Sequence, residues 1–397
     1  MRVKSQAILH AGGAVAYAAA QWLVLALATR FGSLSTVGLY VYCLALLTPA
    51  SVFLSFGVRN LVATDSKENL HDQGYRAIQG AGLAAFALYF LVILVLVRED
   101  VLIAAIVFAS KAADMSSEGA YGEWIRHRKG SLYGVSKLLR LLVFIGLAVV
   151  AFWMGARDKY LLLSYPIALI LVLALHDIPR TGMFPRLGTF SRSLFILAIP
   201  LAVSSFIISL TANVPRLVVK WTLDLEAVAA YAVLIYLISL AAIPVSSVCQ
   251  LLLPNLALGR IFDKRSVARR LVLVVAVYGL AFLVMLPVLG NFAVAILYGT
   301  QIGYSTLSLS AVGVGGAVQF LIAVGNAILV ARRRFRAVLL NALVGLISMC
   351  LATYPAAHYF GLEGAYFGFA AAMAVTAVFL IFILKKEDAR GRVLESC

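Results

Sequence analysis

The stretch A-I-Q-G-A-G-L-A-A-F-A-L-Y-F-L-V-I-L-V-L-V (77–97), R-E-D (98–100), V-L-I-A-A-I-V-F-A-S-K-A-A-D-M-S-S-E-G-A-Y-G-E (101–123) and W-I-R-H-R-K-G (124–130) decides the fold class. Each long run approaches or exceeds the roughly 20 mostly apolar residues that cross a bilayer as a helix. A three-residue gap joins them, so they form an antiparallel pair. The gap holds a single arginine, whereas the far end of the second run carries Arg126, Arg128 and Lys129. Lys/Arg excess marks the cytoplasmic ends of membrane helices. The pair therefore turns at the outer face and returns to the inner one.

The same alternation extends in both directions. Of the 397 residues, 63% are hydrophobic and only 13% are charged, about half the charged share of a soluble domain. Windows of about nineteen residues predict twelve spans, at 7–29, 37–57, 77–97, 101–123, 131–154, 159–176, 194–215, 228–253, 268–289, 307–331, 337–357 and 364–384. With the N-terminus inside, twenty-four of the 33 Lys and Arg fall in inner gaps and the tail, and six fall outside: Arg30, Arg98, Arg157, Lys159, Arg216 and Lys220. Three more, Lys111, Lys137 and Arg140, lie within spans. Both termini are thus expected in the cytoplasm. The net charge of +16 reads as topology against an anionic inner leaflet, not as a nucleic-acid surface. The apolar run Ile8–Ala28 reads as the first membrane helix and not as a cleaved signal, because its removal would leave an odd number of spans. Trp124, Trp153 and Trp221 fall at span ends, where an aromatic belt is expected.

Every gap is short, and the longest polar stretches, about 58–76 and 177–193, are too small for folded domains. No GxxxxGK[ST] stretch is present to cradle a nucleotide. The cysteines and histidines lack ligand spacing, so no metal or other cofactor is expected, and His10, His176 and His358 read as lone interfacial residues. Gly38-Leu39-Tyr40 and Ala229-Ala230-Tyr231 sit at matching points 191 positions apart. This predicts an all-α integral membrane protein of two six-helix lobes, 1–190 and 191–397.

The chemistry lies in the charges that break the apolar runs. Lys111, Asp114 and Glu118 share one helical face at i, i+3 and i+7. A central membrane charge costs at least about 2.5–3.5 kcal/mol on insertion scales, so this stripe faces protein or a watered cavity. A cavity role in transport and a self-neutralising pair that locks helices together both fit. Lys137 and Arg140 share a face of the next span and are expected to meet those carboxylates, although Lys137 is near enough to the inner edge to snorkel. Arg216 and Lys220 follow Pro215, a candidate bend, at the outer end of their span, and Arg30 closes the first span at similar depth. They read either as interfacial snorkels or as cations of an outward vestibule for an anionic substrate. Asn213 and Asn326 are candidates for hydrogen bonds between helices. The clusters at 126–129 and 332–334 read as topology anchors.

Three stretches carry a family resemblance. They are F-G-S-L-S-T-V-G-L-Y-V-Y-C-L-A-L-L-T-P-A-S-V-F-L-S-F-G-V-R-N (31–60), with Gly57 and Arg59 at its end; the segment from Pro200 through Arg216 and Ala230-Tyr231 to Leu253-Pro254-Asn255; and L-Y-G-T-Q-I-G-Y (297–304) followed by the Arg332–Asn341 hairpin and G-L-E-G-A-Y-F-G (361–368). In order and spacing the chain resembles Wzx-type polysaccharide flippases, a branch of the MOP superfamily that also holds multidrug exporters and the lipid II flippase. The resemblance implies a V-shaped, alternating-access fold in a bacterial inner membrane. Its implied substrate is an undecaprenyl-pyrophosphate-linked oligosaccharide for surface polysaccharide such as O-antigen, and a polysaccharide polymerase and chain-length complex is an implied partner. Arg30, Arg59, Lys111, Arg140, Arg216 and Lys220 are the matching cavity cations. Asp114 and Glu118 match no fixed family motif and read as the sites for a coupling ion, H⁺ or Na⁺. A small-molecule exporter of related fold, or a membrane glycan polymerase or ligase, is the alternative.

Overall fold

A computed structural model describes residues 2–64, 72–97, 100–127, 129–188, 192–257, 264–299, 302–332 and 334–395. Among the described residues there are helices and no strands, as the apolar runs require, because a single chain in lipid satisfies its backbone groups locally only as a helix. In chain order the helices are α1 (Arg2–Phe31), α2 (Leu34–Leu54), α3 (Val58–Thr64), α4 (Asp72–Leu96), α5 (Val101–Arg126), α6 (Gly130–Trp153), α7 (Lys159–Leu162) and α8 (Ser164–Val172). A π-helical turn, Leu173–Asp177, leads into α9 (Ile178–Thr181). Then follow α10 (Arg192–Thr222), α11 (Leu225–Ala257), α12 (Lys264–Tyr298), α13 (Thr306–Ala331) and α14 (Phe335–Glu395).

Ten of the described segments are long and apolar enough to cross a membrane. One of them, Arg336–Lys386, is two helices merged across Gly361, where φ is 62°. Helix α5 has membrane length too, and falls outside the ten because Lys111, Asp114 and Glu118 interrupt its apolar run. With these two the twelve expected crossings are accounted for, and the chain is a multi-pass membrane protein. The chain divides into two compact units, Met1–Asn213 and Val214–Cys397. The division falls inside α10, which the sequence places wholly in a second lobe beginning at 191.

In the first unit α1 lies along α6, and α5 packs against α2, α3, α4 and α8. Gly13 makes the first contact close: a Cβ there would stand 2.5 Å from the Cα of Gly134, so only glycine lets these backbones approach. Helix α5 begins at Asp100, whose carboxylate accepts from the N–H of Leu102 at 3.0 Å and of Ile103 at 3.4 Å. The same carboxylate accepts a hydrogen bond from Lys159 Nζ at 2.5 Å, which ties the start of α5 to α7.

In the second unit α13 packs against α11, α12 and α14. Tyr231 stacks on Tyr366 at 5.3 Å, and the hydroxyls of Tyr304 and Tyr366 both donate to the carbonyl of Ala230, at 2.7 and 3.2 Å. Asn341 donates to Asn326 Oδ1 across α14 and α13 at 3.2 Å, whereas Asn213 donates to Ser209 of its own helix. Leu273, Val277, Leu280, Val284 and Val288 of α12 are exposed, an apolar face suited to lipid. Trp153 and Trp221 are exposed at helix ends, 85% and 68%, as a belt demands, but Trp124 is buried.

Gly13→Ala is expected to lower the thermal midpoint of the purified protein by the equivalent of about 1–3 kcal/mol, the usual cost of overpacking. Gly12→Ala, which meets nothing within 4 Å, should leave the midpoint in place. Partial burial opposes ionisation of Asp100, but Lys159 and the two N–H groups outweigh it and hold the carboxyl below its ordinary value. Its stabilising contribution is therefore present above the ordinary carboxylate range and disappears as pH falls through the lowered value. Asp100→Asn is expected to remove that part of the acid-side slope in a melting-temperature titration.

Candidate functional site

Helix α5 presents Asp114, Ser117 and Glu118 on one face, since residues three and four apart stack along a helix. Helix α6 answers with Lys137 and Arg140. Arg140 is 1% exposed, and a guanidinium so placed requires anions within reach. Its Nη1 donates to Asp114 Oδ1 at 3.0 Å, and its Nη2 donates to Asp177 Oδ2 at 2.8 Å and to Ser117 Oγ. The remaining oxygens are used as well. Tyr17 of α1 donates to Asp114 Oδ2 at 2.7 Å, and His176 Nδ1 stands 2.9 Å from Asp177 Oδ1. A carboxylate only accepts, so this bond places the imidazole proton on Nδ1.

Asp177 reaches Arg140 through the π turn. A π turn packs an extra residue into the helical cycle and commonly marks a functional segment. Here it carries His176 and Asp177, both buried, with the imidazole edge-on to Trp124 at 5.6 Å. Three departures from the sequence reading follow. Asp177 belongs to the core and not to an inner loop, His176 is engaged and not a lone interfacial residue, and Trp124 packs inside and not in a belt. Lys137 also differs from a snorkelling lysine. It is buried, its ammonium stands 3.7 Å from the centre of the Tyr17 ring and 4.8 Å from that of Tyr121, and it lies 3.8 Å from Asp114.

Arg59 comes from α3. Beyond the end of α2 the chain turns through Phe56 and Gly57, with φ of 50° and 60°. A left-handed phenylalanine is unusual. Its ring is held against Phe53 and Phe195 at 6.2 and 5.5 Å. A Cβ at Gly57 would come within 2.8 Å of Leu201 Cδ2, so the turn favours glycine on both conformation and space. The turn starts α3 and aims Arg59 at α5. Arg59 Nε donates to Glu118 Oε2 at 2.8 Å and Nη2 to Oε1 at 2.5 Å, a bidentate fork. This pair is the open one: the side chains are 36% and 18% exposed. Arg59 lies near the inner end of the candidate span Leu34–Ala63, beside the inner gap where the charge count put it.

Tyr121 joins the two sets. It is fully buried, its hydroxyl is 3.3 Å from Ser136 Oγ, and three cations stand near its ring: Lys137 at 4.8 Å, Arg140 at 5.5 Å and Arg59 at 5.8 Å. Such contacts are favourable within about 6 Å of the centroid. The arrangement sets three cations against three carboxylates, Asp114, Glu118 and Asp177, with half-buried Lys111 one turn before Asp114.

Of the sequence-derived residues, Arg59, Lys111, Asp114, Glu118 and Arg140 thus gather in the first unit. Arg30 is exposed at the far end of α1, thirteen residues beyond Tyr17 and so about 20 Å along the helix. Arg216 and Lys220 belong to the second unit, where both are half-buried and the Arg216 guanidinium stands 5.3 Å from the Tyr236 ring. Helix α10 runs past Pro215 to Thr222 without interruption. Tyr17, Tyr121, His176 and Asp177 complete the site and were not assigned to it by sequence, whereas Lys137 meets the carboxylates as its face predicted but was left out of the cavity cations as a possible snorkel. The spacing of Lys137 to Arg140 was the available signal for the lysine.

Removing one partner of a buried ion pair costs about 3–5 kcal/mol, because the other charge is left uncompensated. Arg140→Gln and Asp177→Asn are each expected to destabilise the first unit on that scale in chemical denaturation. The double variant should lose less than the sum of the two. Strict additivity would mean that the bridge carries no coupling.

No family model matches the chain. The capsular polysaccharide biosynthesis protein CapF of Staphylococcus aureus is 22% identical over 300 residues, covering 73% of this chain and 76% of that protein. The lipid II flippase MurJ in an inward closed conformation superposes with a TM-score of 0.72 at 14% identity, over 95% of this chain and 87% of that one. An inward-facing multidrug resistance MATE family transporter of the MOP superfamily gives a TM-score of 0.70 at 12% identity, over 98% and 95%. The chain thus shares the fold of these MurJ and MATE structures over nearly its whole length, and the similar CapF is a capsular polysaccharide biosynthesis protein.

Proposed function

We infer that the chain is a flippase. It moves polyprenyl-pyrophosphate-linked oligosaccharide repeat units from the cytoplasmic to the periplasmic leaflet of a bacterial inner membrane, for surface polysaccharide synthesis. The observation that carries this reading is a half-open guanidinium near the inner end of a candidate membrane span, Arg59, presented by a left-handed turn and seated beside a network of buried charge. The MOP transporter fold and the polysaccharide-biosynthesis relative support it.

The physical task is to carry a diphosphate and a hydrated glycan past hydrocarbon, where unpaired charge is prohibitive. A guanidinium fork substitutes two aligned N–H groups for the hydration that a phosphate gives up. Arg59 is the phosphate contact in this reading, and Arg30, Arg216 and Lys220 attract the anion elsewhere along its path. Arg140 and Lys137 act through position, by holding the carboxylate face of α5 in place, and Lys111 adds positive potential beside it. Asp114 and Glu118 are the groups through which H⁺ or Na⁺ biases the transport cycle.

Complementation of a flippase-null strain tests the reading. Arg59→Ala, at normal membrane abundance, is expected to abolish surface glycan, and Arg59→Lys to restore only part of it, since an ammonium keeps the charge but not the fork. Full glycan assembly by Arg59→Ala would remove the phosphate assignment. A gain in drug resistance on expression, without complementation, would favour the small-molecule exporter that the likeness to multidrug transporters also allows.

A further inference from the structure

The fork that a phosphate would use on Arg59 is already occupied. Glu118 fills the Nε and Nη2 edge with both of its oxygens. This is the edge, with two parallel N–H groups, that matches phosphate oxygens as well as carboxylate oxygens. Of the three cations around the Tyr121 ring, Arg59 has the most exposed side chain, 36% against 5% for Lys137 and 1% for Arg140.

Charge balance sharpens the point. Arg59, Lys137 and Arg140 face Asp114, Glu118 and Asp177, and Lys111 beside Asp114 adds one positive charge, so an arriving diphosphate, with two or more negative charges, finds too little surplus there. One carboxylate has to yield its partner. Asp177 is fully buried between Arg140 and His176, and Asp114 is held by Arg140, Lys137 and Tyr17. Glu118 makes its hydrogen bonds to Arg59 alone among the described residues, and it sits at the open edge of the cluster.

We propose that Glu118 is a tethered competitor for the anion site on Arg59. The diphosphate of the lipid-linked substrate displaces the Glu118 carboxylate from the guanidinium fork, and the returning carboxylate expels the diphosphate. This rests on the flippase reading and deepens it. A transporter must release what it binds, and a site with two aligned N–H groups in a low-dielectric setting would otherwise hold a diphosphate tightly. A built-in carboxylate lowers that affinity by a fixed amount and is available on every cycle. No bond is made or broken, because the two anions exchange one set of hydrogen-bond donors.

The test uses the full chain in lipid nanodiscs, with undecaprenyl pyrophosphate as the anionic probe and undecaprenol as the neutral control, and binding read by native mass spectrometry. Glu118→Gln is expected to bind the diphosphate lipid about five- to tenfold more tightly than wild type, as removal of one charge-assisted competitor implies. Binding of undecaprenol should not change. Glu118→Asp keeps the charge on a shorter arm and is expected to fall between the two, so it carries the test even where the glutamine variant folds poorly. Arg59→Gln should bind weakly, and adding Glu118→Gln to it should give no gain. Binding by wild type with no tightening in either Glu118 variant would overturn the competition while leaving the flippase reading in place. No binding of undecaprenyl pyrophosphate by wild type or any variant would overturn both.

Discussion

A guanidinium without water must find its counter-charges inside the protein, and Arg140 organises the first unit around that demand. Its donors are spread over Asp114, Ser117 and Asp177, which lie on α5 and in the π turn. The carboxylates it holds have further oxygens to satisfy, and these draw in Tyr17 from α1 and His176. One buried cation thereby fixes the mutual placement of three membrane segments and reaches a fourth. A network of this kind is weak evidence for net stability, since desolvation offsets much of the Coulomb gain. Its effect is on specificity, because sliding or rotating any of these helices would strand a charge in a medium where stranding is expensive.

The Arg59–Glu118 fork follows a different logic. It shares the Tyr121 ring with the buried network but lies at its open edge, on a seven-residue helix entered through two left-handed residues. The inner bridge has little freedom to exchange partners without unpairing a fully buried charge. The outer fork can trade one anion for another while its charge stays partly solvated. In the proposed flippase this separates a fixed scaffold from an exchangeable contact, with the aromatic ring keeping favourable distance to the cations of both.

The second unit is built on other means. Tyr231, Tyr304 and Tyr366 meet around the carbonyl of Ala230, and Asn326 and Asn341 bond between helices, so these contacts join neutral groups, beside a Ser305–Glu363 bond and the Arg216–Tyr236 contact. The two units thus share a helical plan while differing in the chemistry at their centres. The cluster of paired charges described above sits in the first, where α5 forgoes apolar character to carry it.

Much of this was legible in the chain itself. Apolar run lengths and the sorting of Lys and Arg between alternate gaps are local properties, and they set the class and the number of crossings. The i, i+3, i+4 rule put Lys111, Asp114 and Glu118 on one face, and Lys137 with Arg140 on another, before any helix was packed. Partnership was not legible in the same way. Asp177 looked like loop because a π turn is a small change of helical phase that hydropathy does not encode. Lys137 looked able to snorkel because burial depends on Tyr17, which lies 120 positions earlier in the chain. The charge count put Arg59 with the inner gap and gave it no partner, because the left-handed turn at Phe56–Gly57 that aims it at Glu118 leaves no mark on composition. By itself the sequence determined that the chain crosses a membrane many times and that a few charges must be hidden within it. Only the tertiary structure decided which charge faces which, because ion pairing falls off over a few ångströms and those distances are set by packing between segments remote in the chain.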